Sequence, residues 1–195
     1  MNYLRFGLLF FIALSSVTTS KAQKDETKPL ATTNSPQAST TPVANPVSSF
    51  VKQQLARFNK TMVAAAEAMP AEKYSFKPTP EMNTFAHLTI HIAEGNNSLC
   101  SKISGTPAPT EKLKDDDPKD KLVAGLKSSF DFCNTALANV DDSKLSDPIV
   151  LFGSFSSSRA GALIALSMGF ADHYGAQAIY LRLNGILPPS AQPKK

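Results

Sequence analysis

Residues 158–190, SRAGALIALSMGFADHYGAQAIYLRLNGILPPS, constrain the fold more than any other stretch of the chain. Leu163, Leu166, Phe170, His173, Gln177, Tyr180 and Asn184 recur at steps of three and four, so they share one face of a long helix. Gly185 supplies the left-handed residue that commonly ends a helix, and Pro188 and Pro189 stop the chain from resuming one. A histidine in the middle of an otherwise apolar stripe poses the functional question, because the elements facing His173 decide what it can do.

Three further helices precede it. Val51, Leu55, Phe58, Met62, Ala65 and Met69 alternate steps of four and three, the seam of a bundle helix over about Pro46 to Ala68. Met69-Pro70 closes it, and residues 71–82, with Pro78 and Pro80, read as an irregular connector. The second helix starts at Thr84, whose hydroxyl can cap it, and runs to about Lys102. Phe85, Leu88, Ile92, Leu99 and Ile103 form its apolar stripe, with His87, His91, Glu94 and Ser98 alongside. Residues 104–118 form a long loop whose run Asp115-Asp116-Asp117 lacks the ligand spacing and glycine of an EF-hand. Asp117 as cap and Pro118 in the first turn open the third helix, which buries Leu122, Leu126, Phe130, Cys133, Leu137 and Val140. In the connection at residues 141–157, the run Ile149 to Phe152 could be an extended segment, but it has no visible partner strand.

A chain of 195 residues that is 42% hydrophobic supports one sizeable core. Its first 22 residues have the layout of a secretory signal peptide: Arg5, an apolar run from Phe6 to Leu14, and Ser20-Lys21-Ala22 before the expected cut. That run is well short of the ~20 residues of a membrane span, so no stable span is expected after cleavage and the protein is expected to be periplasmic or secreted. Residues 23–49 are rich in Pro, Ser and Thr with few large apolar side chains, and read as a disordered spacer before a folded domain at 50–190. The basic residues are scattered among acidic ones, without a run or a face interleaved with aromatics, so no nucleic-acid partner is implied.

The two cysteines test the topology. The loop between the second and third helices is long enough to cross the whole bundle and leave these helices parallel. If they were antiparallel, Cys133 would lie ~22 Å along the axis from Cys100, whereas a disulfide needs Cα atoms within ~7 Å. The expectation is an all-α, up-down-down-up four-helix bundle with a Cys100–Cys133 bond, which export to an oxidising compartment permits.

His87, His91 and His173 are the only histidines. His87 and His91 are four apart, on one helical face, and Glu94 follows one turn later. Two or three imidazoles with a carboxylate would suit zinc, nickel or iron, while a buried histidine alone is more often a hydrogen-bonded core residue.

The segments AMPAEKYSFKPTPEMNTFAHLTIHIAEGN (residues 68–96) and HYGAQAIYLRLNGILPPS (residues 173–190) resemble the DinB-like superfamily, and the resemblance covers roughly Phe50 to Ser190. It implies the same up-down-down-up bundle and a divalent metal held by one histidine of the second helix and two of the fourth. The matching positions are His91 and His173, and the third falls on Gly169, which cannot ligate. Either His87 replaces the missing ligand, with Glu94 or water completing the shell, or no metal is held and His91 and His173 are core residues.

Two functions stay open. In one, the protein is an exported relative of metal-dependent hydrolases and thiol transferases, with Glu94 or Tyr174 as proton acceptor or orienting group. In the other it is a non-catalytic module whose cleft, walled by Phe85, Phe170, Tyr174 and Tyr180, accepts a small apolar ligand. The resemblance also implies a homodimer through a helix face. Arg182 suits the end of its helix, and Arg159, at the unfavoured end, is expected to contact an anion or carboxylate.

Overall fold

The structure is a computed structural model that describes residues 41–193. The expected signal peptide and residues 23–40 of the expected spacer lie outside the described residues. Four helices make up the bundle: α1 (Pro46–Ala68), α2 (Phe85–Ser104), α3 (Lys119–Leu137) and α4 (Arg159–Leu183). The folded chain therefore starts before Phe50, because α1 begins at Pro46 and already buries Ser48. Asp142 explains this start. The N-terminus of α1 has no side-chain cap of its own, and the Asp142 carboxylate accepts from the amides of Val47 and Ser48 at 2.9 and 2.8 Å.

Interhelical contacts fix the direction of every helix. Asn96 donates to Ser129, and Cys100 is bonded to Cys133 with Cα atoms 5.3 Å apart; both pairs are 33 residues apart in sequence, so α2 and α3 run parallel. Phe58 packs on Phe170, and the Met62 carbonyl accepts from Gln177 further along both helices, so α1 and α4 are parallel too. Lys52 reaches the Ala138 carbonyl while Lys119 reaches the Glu67 carbonyl, so α1 and α3 are antiparallel. Phe85 meets Tyr180, and the Arg159 guanidinium donates to the Ile103 carbonyl, so α2 and α4 are antiparallel. The result is the expected up-down-down-up bundle, in which α1 and α2 each pack against both α3 and α4.

The core follows the stripes read from the sequence. Phe85, Phe130 and Phe170 are among the largest fully buried side chains, each contributing roughly 1.5–3 kcal/mol by leaving water. The long loop between α2 and α3 is anchored by Leu113. A Cβ on Gly125 would come within 2.6 Å of the Leu113 side chain, so the glycine makes the space that this leucine fills on α3.

Three local expectations are corrected. The N-cap of α3 is Pro118, not Asp117. The Asp117 carboxylate instead accepts from the Lys121 ammonium and the Lys114 amide, and these bonds hold it below the usual carboxylate range. Residues 149–152 do have a partner: β1 (Pro148–Phe152) pairs antiparallel with β2 (Phe155–Ser158) around a turn at Gly153, where φ is 53°. The aromatic cleft is a packed core. Phe85, Phe170 and Tyr180 are buried against one another's neighbours, with Phe170 between Phe58 and Phe130 and Tyr180 between Phe76 and Phe85.

Candidate functional site

The antiparallel seam of α2 and α4 brings His91 and His173 together. Their rings lie 5.0 Å apart, centroid to centroid, at an interplanar angle of 85°. Helical periodicity sets this meeting: Phe85 and Tyr180 close one end of the seam and Ile103 and Arg159 the other, leaving the two histidines level between them. His91 is exposed and His173 half-buried.

Burial pushes the His173 pKa down, the neighbouring His91 adds to the effect, and Asp172 partly offsets it. The shift favours the neutral His173 imidazole, the form that ligates a metal or accepts a proton.

The other candidate residues go elsewhere. His87 places Nδ1 3.2 Å from the Asp115 carboxylate, on the long loop. The Glu94 carboxylate lies 3.9 Å from the Lys112 ammonium. Tyr174 turns to α1, with its ring 6.1 Å from that of Phe58, and its hydroxyl accepts from the Ser190 amide at 2.8 Å. Among the described residues no three His, Cys, Asp or Glu side chains are grouped so that they could hold a metal ion.

Gly169 lies one turn before His173. A Cβ built there would meet only the His173 ring, at 3.8 Å, an ordinary contact. There is room for a side chain beside the pair, and the chain supplies none. The residues present do not complete a three-imidazole shell, because Gly169 has no donor and His87 is turned to Asp115.

One turn after His173, Gln177 is fully buried; its amide donates to the Met62 carbonyl at 3.3 Å, while its Oε1 has no partner. The sequence marked Gln177 only as a stripe position. Arg159 meets its expected carboxylate, with Asp147 3.6 Å away. The part played by Asp115 was not foreseeable, because a helical pattern says nothing about where a long loop returns.

Residues 54–178 match the sequence profile of the DinB superfamily. Among solved structures, the chain is similar to a DinB-like protein from Bacillus subtilis (TM-score 0.60, 19% identity, covering 74% of this chain and 99% of that one). A DinB-like protein from Bacillus cereus is also similar (TM-score 0.60, 17% identity, 71% and 93% covered). A conserved protein from Enterococcus faecalis gives a TM-score of 0.51 at 17% identity, with 70% and 95% covered. At these identities the likeness speaks for the fold alone. No curated protein matches the chain's sequence.

Proposed function

Because the chain belongs to the DinB superfamily, we propose that it is an exported bundle in which the His91–His173 pair stands where a metal centre would be, without forming a catalytic one. Its role on this reading is binding or structural, and neither metal-dependent hydrolysis nor thiol transfer is assigned to it. One observation carries the reading: two imidazoles converge at 5.0 Å, and the position that would complete a three-histidine set is Gly169. Two imidazoles can still take a divalent transition ion weakly, since affinity falls as ligands are removed.

Export is proposed on two supports. One is the signal-peptide layout of residues 1–22. The other is the Cys100–Cys133 disulfide, a bond that persists in oxidising compartments.

The test is metal analysis of untagged protein purified without chelator, alongside a His91→Ala, His173→Ala double variant. The expected result is substoichiometric metal that dialysis removes from both proteins alike. One equivalent of zinc, nickel or iron that survives dialysis and disappears in the double variant would overturn the reading and restore the metal-dependent one.

A further inference from the structure

The hairpin between α3 and α4 holds two aromatic side chains in water at its tip. Phe152 and Phe155 are paired across the turn at Gly153 and Ser154, and they are 57% and 62% exposed. Val150 is 52% exposed as well, while Leu151 beside it is buried in the core. The base of the hairpin is fixed to the bundle by that leucine and by the amides of Arg159 and Ala160, which donate to the carbonyls of Asp147 and Leu145. Exposed apolar groups on an anchored element mark an interaction surface.

We propose that this tip enters the interface of a lipid bilayer that carries anionic headgroups.

The shape and the chemistry of the hairpin favour lipid over other partners. A protruding apolar tip offers no concave site to a small ligand, whereas a bilayer deforms around it. From Pro148 to Ser158 the hairpin has no charged residue, and charged side chains are the ones most costly to carry towards hydrocarbon. Its two strands also satisfy part of each other's backbone groups.

Cationic groups stand just behind the tip. The Lys102 ammonium donates to the Val150 carbonyl at 3.2 Å, two residues from Phe152, and the Lys52 ammonium donates to the Ala138 carbonyl at 2.9 Å. Both sit on carbonyls rather than carboxylates. The aspartates of this end have other partners: Asp142 accepts from the first amides of α1, Asp141 accepts from Ser143, and Asp147 lies 3.6 Å from the Arg159 guanidinium. The lysines are thus left to meet lipid phosphates while the apolar tip goes deeper.

The start of α1 lies at the same end of the bundle. The three phenylalanines exposed among the described residues, Phe50, Phe152 and Phe155, all belong to this end, and Phe50 lines an apolar groove of about 460 Å³ with Val47 and Met168. Residues 1–41, with the apolar run Phe6 to Leu14, are joined to the bundle here through Pro42.

The chain has no tryptophan, so Phe152→Trp places a single fluorescent reporter at the tip. The full chain carrying it is mixed with vesicles of phosphatidylcholine and phosphatidylglycerol. The emission is expected to shift to the blue and to be quenched by brominated acyl chains. Adding Phe155→Ser should weaken partitioning by about tenfold or more, the loss expected when one phenylalanine no longer leaves water. Raised salt, or phosphatidylcholine alone, should weaken it as well. Ile179→Trp, near the opposite end of α4, is expected to show no shift. All three positions are exposed, so unchanged helical circular dichroism checks the fold. An unshifted reporter at position 152 overturns the proposal, including the case in which vesicles pellet the chain through Phe6 to Leu14 alone. So does a reporter at position 179 that shifts as much, and equal binding to phosphatidylcholine alone overturns the part assigned to the lysines.

Discussion

At the scale of single residues, Tyr74 shows how a local defect is repaired by a distant side chain. Pro70 has no amide hydrogen to offer the Ala66 carbonyl at the end of α1, and the Tyr74 hydroxyl donates to that carbonyl at 2.7 Å instead. Burial pushes the Tyr74 phenol far up, with the charges of Asp120 and Glu67 adding to it, so the hydroxyl stays protonated. Tyr74→Phe should therefore cost about 1–3 kcal/mol in a urea titration, the penalty for a buried acceptor left without a partner. A change within experimental error would mean that water reaches Ala66. Gly169 supports a second prediction on the same scale. Since a Cβ there meets only the His173 ring, Gly169→His should fold and bind zinc or nickel more tightly than the wild type, as isothermal titration would show. If affinity does not rise, His91 and His173 are not aligned for a shared ion. The sequence made Gly169 legible through its place one turn from His173. It could not reveal that His87 turns to Asp115, since two residues four apart on a helix share a face whether or not a loop competes for one of them.

At the scale of elements, all four helices were legible because each carries an unbroken stripe, with Thr84 capping α2 through the His87 amide and Gly185 ending α4 at φ 73°. The hairpin was not. Ile149 to Phe152 is a run of four apolar residues without the alternation of a half-buried strand, and its partner is mostly serine. The usable signal was the short turn, Gly153-Ser154, flanked by the paired Phe152 and Phe155. The α2–α4 seam carries a pH prediction. Burial holds the His173 pKa below its ordinary value, with His91 adding to this and Asp172 partly opposing it. The unfolded chain then binds more protons than the folded one as pH falls through the ordinary histidine range of about 6.5. The contribution is fully present above that range and is lost on acidification through the lower folded value. Urea midpoints should fall between about pH 7.5 and about pH 5.5, and His173→Gln should flatten that dependence. An equal fall in the variant would assign the effect to other groups.

At the scale of the whole molecule, the parallel packing of α2 and α3 has an energetic consequence. Parallel neighbours joined by a crossing loop must close a long segment before their contacts form, unlike a tight antiparallel hairpin. The Cys100–Cys133 bond closes that segment in the unfolded chain, and the buried Asn96–Ser129 hydrogen bond sits one turn away on both helices. For a loop of this size the chain-entropy contribution is about 3–4 kcal/mol, a large share of the roughly 5–15 kcal/mol by which domains are stable. Thermal unfolding under reducing conditions, or of the Cys100→Ala, Cys133→Ala variant, should therefore occur roughly 10 °C lower, at about 2–4 °C per kcal/mol for a domain of this length. The two interventions should agree, because both open the same loop. If the reduced wild type melts with the oxidised one while mass spectrometry confirms free thiols, the interhelical contacts hold α2 and α3 together without the bond. The disulfide would then lose its value as a support for an oxidising compartment, and export would rest on residues 1–22 alone.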